Sequence, residues 1–434
     1  MAKDWMEYYR SHCMTVDEAV KLIKSGDTVV DGHGIGRSEI FYKALMKRVD
    51  ELESVKIISG FHTGKAEYCA KEYTDTFKVY SLFDSEQSRV AHWEGRAQFV
   101  PMPFSQQERY IVKEQPDVLF THVTPPDKDG YVSMGINVDY TRTAVDVSKL
   151  VMAQVNHNMP WVGGDAVIHV SQIHCFVEED TPLIELLSPE TFSETDLAIA
   201  KNVASLIDDG ATLQIGVGSV PDQVLKLLGD RKHLGVHTEL GSPGIMELVQ
   251  KGVIDNSMKT LDPGRCICTI MGGSRAFYDF IDHNPVFEMR RSSYVTNPMV
   301  IGQQKNMCAV NSAIEADLFG QVGAEMIGRK QYGGIGGQLD FMRGATMAEG
   351  GKSIICMPST AAKGKVSRIV PSMTPGACVS DTRLDVMYIV TEYGIADLWG
   401  KTMEERAKEL IKVAHPNFRE DLERTYYEKI HKAL

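Results

Sequence analysis

Cysteine is scarce in this 434-residue chain, which has eight residues of this type, spread from Cys13 to Cys378. Small disulfide-stabilised scaffolds concentrate their cysteines at close spacing, so that class of protein is excluded. The one close pair, Cys266 and Cys268, has no further Cys or His at the spacing of a zinc site, so we expect no metal. Its one-residue spacing is typical of a strand with both thiols on one face.

Long apolar runs and an excess of positive charge are also lacking. No uncharged stretch approaches the ~20 residues of a membrane-spanning helix, and the first residues carry charge from Lys3 onward without the apolar segment of a signal peptide. Acidic residues outnumber basic ones by 58 to 46, and the net charge of −12 argues against a nucleic-acid partner. We therefore expect a cytoplasmic protein that does not bind membranes and whose thiols are reduced.

The overall composition is that of an ordinary globular protein. A weak internal repeat is the main sign of how the chain is organised. The segment LIKSGDTVVDGHGIG begins at Leu22, and LIDDGATLQIGVGSV begins 184 residues later at Leu206. Each copy predicts a helix that ends at glycine, a short strand, a Gly-x-Gly turn and an amphipathic helix. The second of these following helices is PDQVLKLLGD, with Pro221 at a first helical position.

Short apolar runs alternate with helical patterns over the rest of the chain, which favours mainly parallel sheets covered by helices. These runs are VKIIS, DVLFTHV, LVMAQV, HLGVHTEL, MCAVNSAI, KSIICMP and VMYIVTEYG. We predict an α/β fold with two similar domains, residues 1–186 and 187–434, each an open, mainly parallel sheet. The stretch TPLIELLSPE, residues 181–190, is the predicted linker.

The second Gly-x-Gly unit, Gln214-Ile215-Gly216-Val217-Gly218, suits a phosphate-bearing ligand, because backbone N–H groups and a helix dipole point out of such a turn. Glu239 stands at the end of the next predicted strand, about 20 residues on, where a dinucleotide-binding fold holds a ribose. A nicotinamide-dependent oxidoreductase is therefore one alternative. Pro221 occupies the place of the third glycine of that fingerprint, which counts against it.

A second glycine cluster lies in YGGIGGQLDF, where four glycines fall within residues 333–337. A backbone without side chains can approach a ligand closely and donate N–H groups to an oxyanion. The more common use of such a cluster is a flexible turn, and the residues alone leave both interpretations open.

Three separated segments, VHTELGSPGIMELVQKGVIDN, GGIGGQLDFMRGA and VTEYGIADLWGKTMEERAKELIKVAHPNFRE, together resemble the acetyl-CoA hydrolase/CoA-transferase family. Within that family the chain is most similar to 4-hydroxybutyrate and butyryl-CoA:acetate CoA-transferases. The N-terminal half shares the resemblance through FTHVTPPDKDGYVSMGINVDY and LVMAQVNHNMPWVGGDAVIHV. The resemblance implies two CoA-transferase-type domains with the active site at their interface, and a homodimer or larger homo-oligomer.

The resemblance also implies a reaction, in which coenzyme A moves between carboxylates through a glutamyl-CoA thioester on Glu239. The glycine loop would stabilise the oxyanions, through Gly336 or Gly337. Acyl-CoA and a short-chain acid such as 4-hydroxybutyrate, butyrate or acetate are the implied substrates, and no permanently bound cofactor is needed. Two alternatives stay open: an acyl-CoA hydrolase would share Glu239 and admit water, whereas a CoA- or nucleotide-binding sensor would bind its ligand without turnover.

Binding residues are implied in the same way. Coenzyme A would lie along residues 214–218, near Ile314 and against Gly337, with Gln214 close to the acyl or glutamyl carboxyl group. We place His33 in the substrate pocket because the two Gly-x-Gly turns are expected to face each other. An equal alternative for His33 is a structural role in its own turn. Gln338 completes the predicted substrate pocket.

Overall fold

In a computed structural model that describes residues 4–61, 64–187 and 191–430, the chain divides into two compact units. The first comprises residues 1–186 and 267–295, and the second comprises residues 187–266 and 296–434. The longer segment of the first unit ends at Leu186, and the domain bounds 1–186 and 187–434 stay a prediction. In this division, residues 267–295 group with the first unit, whereas the sequence analysis placed them in the C-terminal domain. Residues 188–190 of the predicted linker lie outside the described residues.

The described residues form 25 strands and 15 α-helices. The strands are Thr28–Asp31 (β1), Val55–Ser59 (β2), Phe77–Ser81 (β3), Ala97–Phe99 (β4), Val118–Val123 (β5), Tyr131–Ser133 (β6), Leu150–Val155 (β7), Gly163–Gly164 (β8), Val167–His169 (β9), Cys175–Glu178 (β10), Thr212–Ile215 (β11), Gly235–Gly241 (β12), Cys266–Met271 (β13), Phe287–Met289 (β14), Met307–Ser312 (β15), Glu315–Asp317 (β16), Val322–Gly323 (β17), Met326–Ile327 (β18), Lys330–Gln331 (β19), Lys352–Cys356 (β20), Thr360–Ala361 (β21), Val366–Ser367 (β22), Ile369–Val370 (β23), Tyr388–Thr391 (β24) and Gly394–Asp397 (β25). The α-helices are Trp5–Ser11 (α1), Val16–Val20 (α2), Glu39–Met46 (α3), Glu86–Trp93 (α4), Gln107–Glu114 (α5), Thr141–Val147 (α6), Glu194–Ala204 (α7), Ser219–Leu227 (α8), Pro243–Gln250 (α9), Arg275–Ile281 (α10), Ser292–Val295 (α11), Pro298–Ile301 (α12), Gln338–Met347 (α13), Met403–Val413 (α14) and Pro416–Thr425 (α15).

The first unit is built on a seven-stranded sheet in the order β10-β7-β5-β1-β2-β3-β4. Each neighbouring pair in it is parallel. Most positions of its central strands are buried, and β5 is buried at every position, as expected when helices cover both faces of a parallel sheet. Phe41 of α3 stacks on Phe120 of β5 with ring centroids 4.8 Å apart, and this contact lies in the core of the unit.

The second unit repeats this topology around β11. Its order β25-β24-β20-β15-β11-β12 has parallel pairs throughout except for the antiparallel edge pair β24–β25. Strand β11 begins 184 residues after β1, and β20-β15-β11-β12 corresponds to β7-β5-β1-β2. The prediction of mainly parallel sheets flanked by helices is confirmed. One boundary was wrong: α8 begins at Ser219, with Gly218 as its N-cap, so Pro221 lies later in the first turn.

Close packing fixes the turn after β1. A Cβ atom added to Gly36 would lie 2.2 Å from the Cβ of Asn137, and one added to Gly32 would lie 2.6 Å from Oγ1 of Thr141. The Asn137 Cβ belongs to a rigid part of its residue and cannot turn away. The glycines of this turn are therefore required by the approach of a neighbouring segment of the same unit.

This contact generates a stability prediction. Replacing Gly36 by Ala, Gly36→Ala, forces the Asn137 segment to shift, and overpacking of this kind costs about 1–3 kcal/mol in the free energy of unfolding. Gly163→Ala is the matched control in the same unit, because a Cβ there meets no atom within 4 Å. Urea unfolding measures both. Equal stability of the two variants would contradict the close packing.

Candidate functional site

Glu239 lies in β12, near the carboxyl end of that strand. The preceding residues, His237 and Thr238, are buried, whereas the Glu239 side chain is only half-buried. The β12 strand is anchored by its parallel pairing with β11. A rigid strand therefore carries a carboxylate out of the core at the end where α/β sheets bind their ligands.

The glycine loop meets this carboxylate. The backbone N–H of Gly337 donates a hydrogen bond to Oε2 of Glu239, with an N···O distance of 2.7 Å. Gly337 is the N-cap of α13, and Gly336 before it has a φ of +56°, in the left-handed region. A Cβ on Gly337 would lie 2.2 Å from Oε2 of Glu239, so only glycine allows this approach. Glu239 and Gly337, both singled out in the sequence analysis, are thus in direct contact.

The contact favours a negative charge at Oε2. A charge-assisted N–H···O⁻ bond is stronger than a neutral one, and the N-terminus of the ten-residue helix α13 adds the positive end of its dipole. The same N–H would bind an oxyanion that develops on the Glu239 carboxyl carbon, since an effective donor lies 2.7–3.1 Å from that oxygen. The geometry suits covalent chemistry at the Glu239 carboxyl group.

The Gly-x-Gly turn after β11 opens onto a cavity of about 300 Å³. Cβ atoms placed on Gly216 and Gly218 would meet nothing within 4 Å, in contrast to the closed turn of the first unit. The cavity lies at the carboxyl ends of three neighbouring strands, and its lining includes Gly216, Val217, Gly218, Ser219, Asn311, Ser312 and Cys356. This position, together with the N-terminus of α8, suits a phosphate-bearing ligand.

Gln214 is buried and engaged in a reciprocal pair of amide hydrogen bonds with Asn311 of β15. The Gln214 Nε2 donates to Asn311 Oδ1 at 3.1 Å, and the Asn311 Nδ2 donates to Gln214 Oε1 at 2.9 Å. Sequence reasoning did not find Asn311, because its importance depends on β15 lying beside β11, and strand order is not encoded locally. Any contact between Gln214 and a ligand would use the second lone pair or hydrogen of its amide.

Two other predicted CoA contacts are less direct. The Ile215 side chain is 1% exposed and points into the core, so this residue can offer a ligand only its backbone. Ile314 lies between β15 and β16, where its N–H donates to the carbonyl of Gly323 at 2.8 Å. The lining of the cavity takes in Ser312 of this segment rather than Ile314. Both roles stay predictions.

His33 is enclosed within the first unit. Its backbone N–H donates to Oδ2 of Asp139 at 2.9 Å, its Nδ1 lies 3.2 Å from the same oxygen, and its ring contacts those of Phe104 and Tyr140. A Cβ on Gly60 would lie 2.2 Å from the His33 Nε2. These contacts match the structural alternative. Whether the ring also reaches a substrate stays a prediction.

Gln338 has a partner that sequence reasoning did not find. Its Nε2 donates to Oδ2 of Asp381 at 2.6 Å. Asp381 is fully buried, and burial raises the pKa of its carboxyl group to about 7, assisted by the nearby acids Asp385 and Glu325. No sequence motif marks Asp381, and the contact depends on the fold.

Three matters considered in the sequence analysis can be compared with the structure. Within the described residues, no group of three or more His, Cys, Asp or Glu side chains forms a metal site, and no helix has the length and apolar character of a membrane span. Glu239 holds the Gly337 N–H, an arrangement that a ribose contact at the end of a dinucleotide-binding strand does not require.

Comparisons with known proteins show the family to which the chain belongs. Residues 2–187 match the acetyl-CoA hydrolase/transferase N-terminal domain, and residues 273–426 match the acetyl-CoA hydrolase/transferase C-terminal domain. A 4-hydroxybutyrate coenzyme A transferase of Clostridium kluyveri is 45% identical over 96% of this chain and 98% of its own length. A butyryl-CoA:acetate CoA-transferase of Anaerostipes caccae is 34% identical over 96% of each chain.

Among solved structures, RipA from Yersinia pestis superposes with a TM-score of 0.94 at 35% identity, over 99% of this chain and 100% of that one. The two family models match both halves of the chain, and the similarity to relatives and to this structure extends over nearly its whole length. The chain therefore belongs to the acetyl-CoA hydrolase/transferase family and is an enzyme that transfers coenzyme A.

Proposed function

We propose that the chain is an acyl-CoA:carboxylate CoA-transferase that acts on 4-hydroxybutyrate or butyrate, with acetate and acetyl-CoA as the exchange pair, through a glutamyl-CoA thioester on Glu239. The observation that carries the proposal is the 2.7 Å hydrogen bond from the Gly337 N–H to the Glu239 carboxylate. The substrates are those in the names of the similar proteins from C. kluyveri and A. caccae.

The first half-reaction exchanges two bonds. The Glu239 carboxylate attacks the carbonyl carbon of the acyl-CoA, and the tetrahedral intermediate expels the CoA thiolate to leave a mixed anhydride. The thiolate then attacks the Glu239 carbonyl carbon and expels the first acid as its carboxylate. The product is the glutamyl-CoA thioester. No net proton, water or electron is consumed, so the chemistry needs neither a redox cofactor nor a metal.

The second half-reaction is the reverse sequence with a different acid. The incoming carboxylate attacks the Glu239 carbonyl carbon and expels the thiolate, which then attacks the acyl carbonyl of the new anhydride. In the two steps where the thiolate or the incoming carboxylate attacks the Glu239 carbonyl carbon, an oxyanion develops on its carbonyl oxygen, which we assign to the position that Oε2 now occupies beside the Gly337 N–H. In the other two steps the attack falls on the acyl carbonyl, and the oxyanion develops on the acyl oxygen. The loop N–H therefore binds tighter in the transition state than in the ground state, which is what acceleration requires.

Coenzyme A is placed at the Gly-x-Gly turn in this proposal. The cavity beside Gly216 and Gly218 adjoins the N-terminus of α8, whose N–H groups suit the pyrophosphate. Binding of this remote part of the substrate offsets the cost of forming the anhydride at the reacting centre. His33 remains a candidate for the acyl pocket, and the proposed assembly is a homodimer or larger homo-oligomer.

The covalent intermediate can be trapped. Incubation with butyryl-CoA alone followed by borohydride is expected to reduce a thioester at Glu239 to an alcohol, which mass spectrometry locates on the peptide that contains this residue. Glu239→Ala is expected to lower the transfer rate by at least about 10⁴-fold, since the nucleophile is lost. Glu247→Gln, an exposed glutamate in the following helix α9, is the control and retains both signals.

Addition of acetate separates the two activities of the family. Transfer yields acetyl-CoA, whereas hydrolysis yields free thiol whether or not acetate is present. A protein that turns over butyryl-CoA while Glu239 stays unmodified would contradict the proposed mechanism, and release of thiol alone would show a hydrolase instead.

Gly337→Ala tests the loop itself. The added methyl group would lie 2.2 Å from Glu239 Oε2 and 3.2 Å from Thr296 Cγ2, so the carboxylate must leave its donor. We expect kcat to fall by about 10²–10³, the loss typical of one oxyanion donor, with little change in CoA affinity. Gly229→Ala, where a Cβ would meet only one atom at 3.7 Å, is the control in the same unit. A kcat for Gly337→Ala equal to that of this control would contradict the role of the loop.

A further inference from the structure

The glycine loop is held at both ends by acidic residues. At its start, the Glu325 carbonyl accepts hydrogen bonds from the N–H groups of Tyr332 and Gly333, at 2.7 and 3.2 Å. The Glu325 carboxylate accepts from the side chain of Gln331, whose Nε2 also donates to the carbonyl of Gly333. The beginning of the loop is therefore fixed by several bonds to one neighbouring residue.

The end of the loop is fixed by a single side-chain bond beyond the helix start. Gln338, the residue after Gly337, donates from Nε2 to Oδ2 of Asp381 at 2.6 Å. The backbone of Asp381 is itself held, because it forms an antiparallel bridge with Val322, with N···O distances of 3.1 and 3.2 Å. The residue that follows the oxyanion donor is thus tied to a fixed carboxylate.

Asp381 is an unusual choice for a purely structural contact. It is fully buried, and among the described residues no donor reaches its Oδ1. The charged groups around it are the acids Asp385 and Glu325 and the Arg343 guanidinium, which binds Asp385 through two nitrogens at 3.2 Å. A carboxylate kept with one unpaired oxygen in this setting is costly, and such cost is found mainly where function requires it.

We infer that Asp381 is a positioning residue for CoA transfer: through the Gln338 amide it holds the start of α13 so that the Gly337 N–H points at Glu239. The inference rests on the proposed role of Glu239. It assigns Gln338, which we expected in the substrate pocket, to the support of the glycine loop.

The ionisation of Asp381 sets the strength of this support. A charged carboxylate accepts a stronger hydrogen bond than a protonated one, so Gln338 is held most firmly above the pKa of Asp381, which is raised to about 7 by burial. As the pH falls through 7, the support weakens and the Gly337 donor loses its alignment. The rate of transfer should follow the ionised fraction.

The test compares kcat of the wild type and Asp381→Asn from pH 5.5 to 8.5. The amide of Asn keeps a neutral acceptor and the shape of the site, so kcat of the wild type divided by kcat of Asp381→Asn should be near 1 at pH 5.5. It should rise through a midpoint near pH 7 to about tenfold, well short of the 10²–10³ lost with an oxyanion donor itself. The ratio cancels any other group that titrates equally in both proteins.

A matched control is available in the same unit. Asp317 is also buried, burial raises its pKa, and it accepts from the Nε2 of Gln321 at 2.7 Å, the same Asp–Gln pairing away from the glycine loop. Asp317→Asn should give a kcat ratio that does not change with pH. A structural effect of losing a buried carboxylate would appear equally in both variants.

A double-mutant cycle with Gln338→Met tests whether Asp381 acts through Gln338. If Asp381 acts through Gln338, then Gln338→Met lowers kcat at pH 8.5 by about the same tenfold or more, and adding Asp381→Asn to it changes nothing further. A flat ratio for Asp381→Asn at all pH values, or effects of the two substitutions that multiply, would overturn the inference. An unmodified Glu239 in the borohydride experiment would instead overturn the proposed function, so the two failures are distinct.

Thermal unfolding checks the fold and the ionisation together. The folded pKa of Asp381 lies above its unfolded value, so the ionised carboxylate costs stability, and this cost grows between about pH 4 and 7 and is constant above. Asp381→Asn should therefore unfold at a higher temperature than the wild type at pH 8.5, by a margin that shrinks toward pH 4. A less stable variant at pH 8.5 would contradict the burial of a charge at this position.

Discussion

In the proposed mechanism, the hydrogen bond between the Gly337 N–H and the Glu239 carboxylate is the interaction on which the transfer of coenzyme A depends. It joins a strand end to a helix start over a distance of 2.7 Å. In the proposed mechanism, this bond orients the Glu239 carboxylate in the resting enzyme and binds the oxyanion that forms when its carbonyl carbon is attacked. Neither role tolerates a side chain at position 337, where a Cβ would contact Oε2 itself.

The same turn motif does different work in the two units. After β1, Gly32 and Gly36 are glycines because Asn137 and Thr141 press against them, and the turn is closed. After β11, Gly216 and Gly218 face open space and line a cavity at the carboxyl ends of parallel strands. A shared sequence pattern therefore does not imply a shared function, since the surroundings of each turn decide whether a ligand has room to enter.

The fold was largely predictable because its signals are local. Buried parallel strands such as VKIIS and LVMAQV are continuous apolar runs, and both correspond to strands at the predicted residues. The assignment of each segment to one of the two units was less predictable. Residues 267–295 belong to the first unit although they follow strands of the second, and nothing in their composition marks the return.

In the candidate site, too, only residues with distinctive local sequences could be predicted. Glu239 and the glycine loop carry distinctive local sequences, and the structure brings them into contact. Asn311 and Asp381 carry none. Each becomes relevant only through a partner on another element, Gln214 for the first and Gln338 for the second, so strand order and the path of the loop must be known before either can be recognised.

The most direct test of the account is a crystal structure of the enzyme after reaction with butyryl-CoA in the absence of a second acid. The account predicts continuous density from the Glu239 carboxyl carbon to the sulfur of coenzyme A, with the thioester oxygen 2.7–3.1 Å from the Gly337 nitrogen. Covalent density on any other residue, or a thioester oxygen turned away from Gly337, would contradict it.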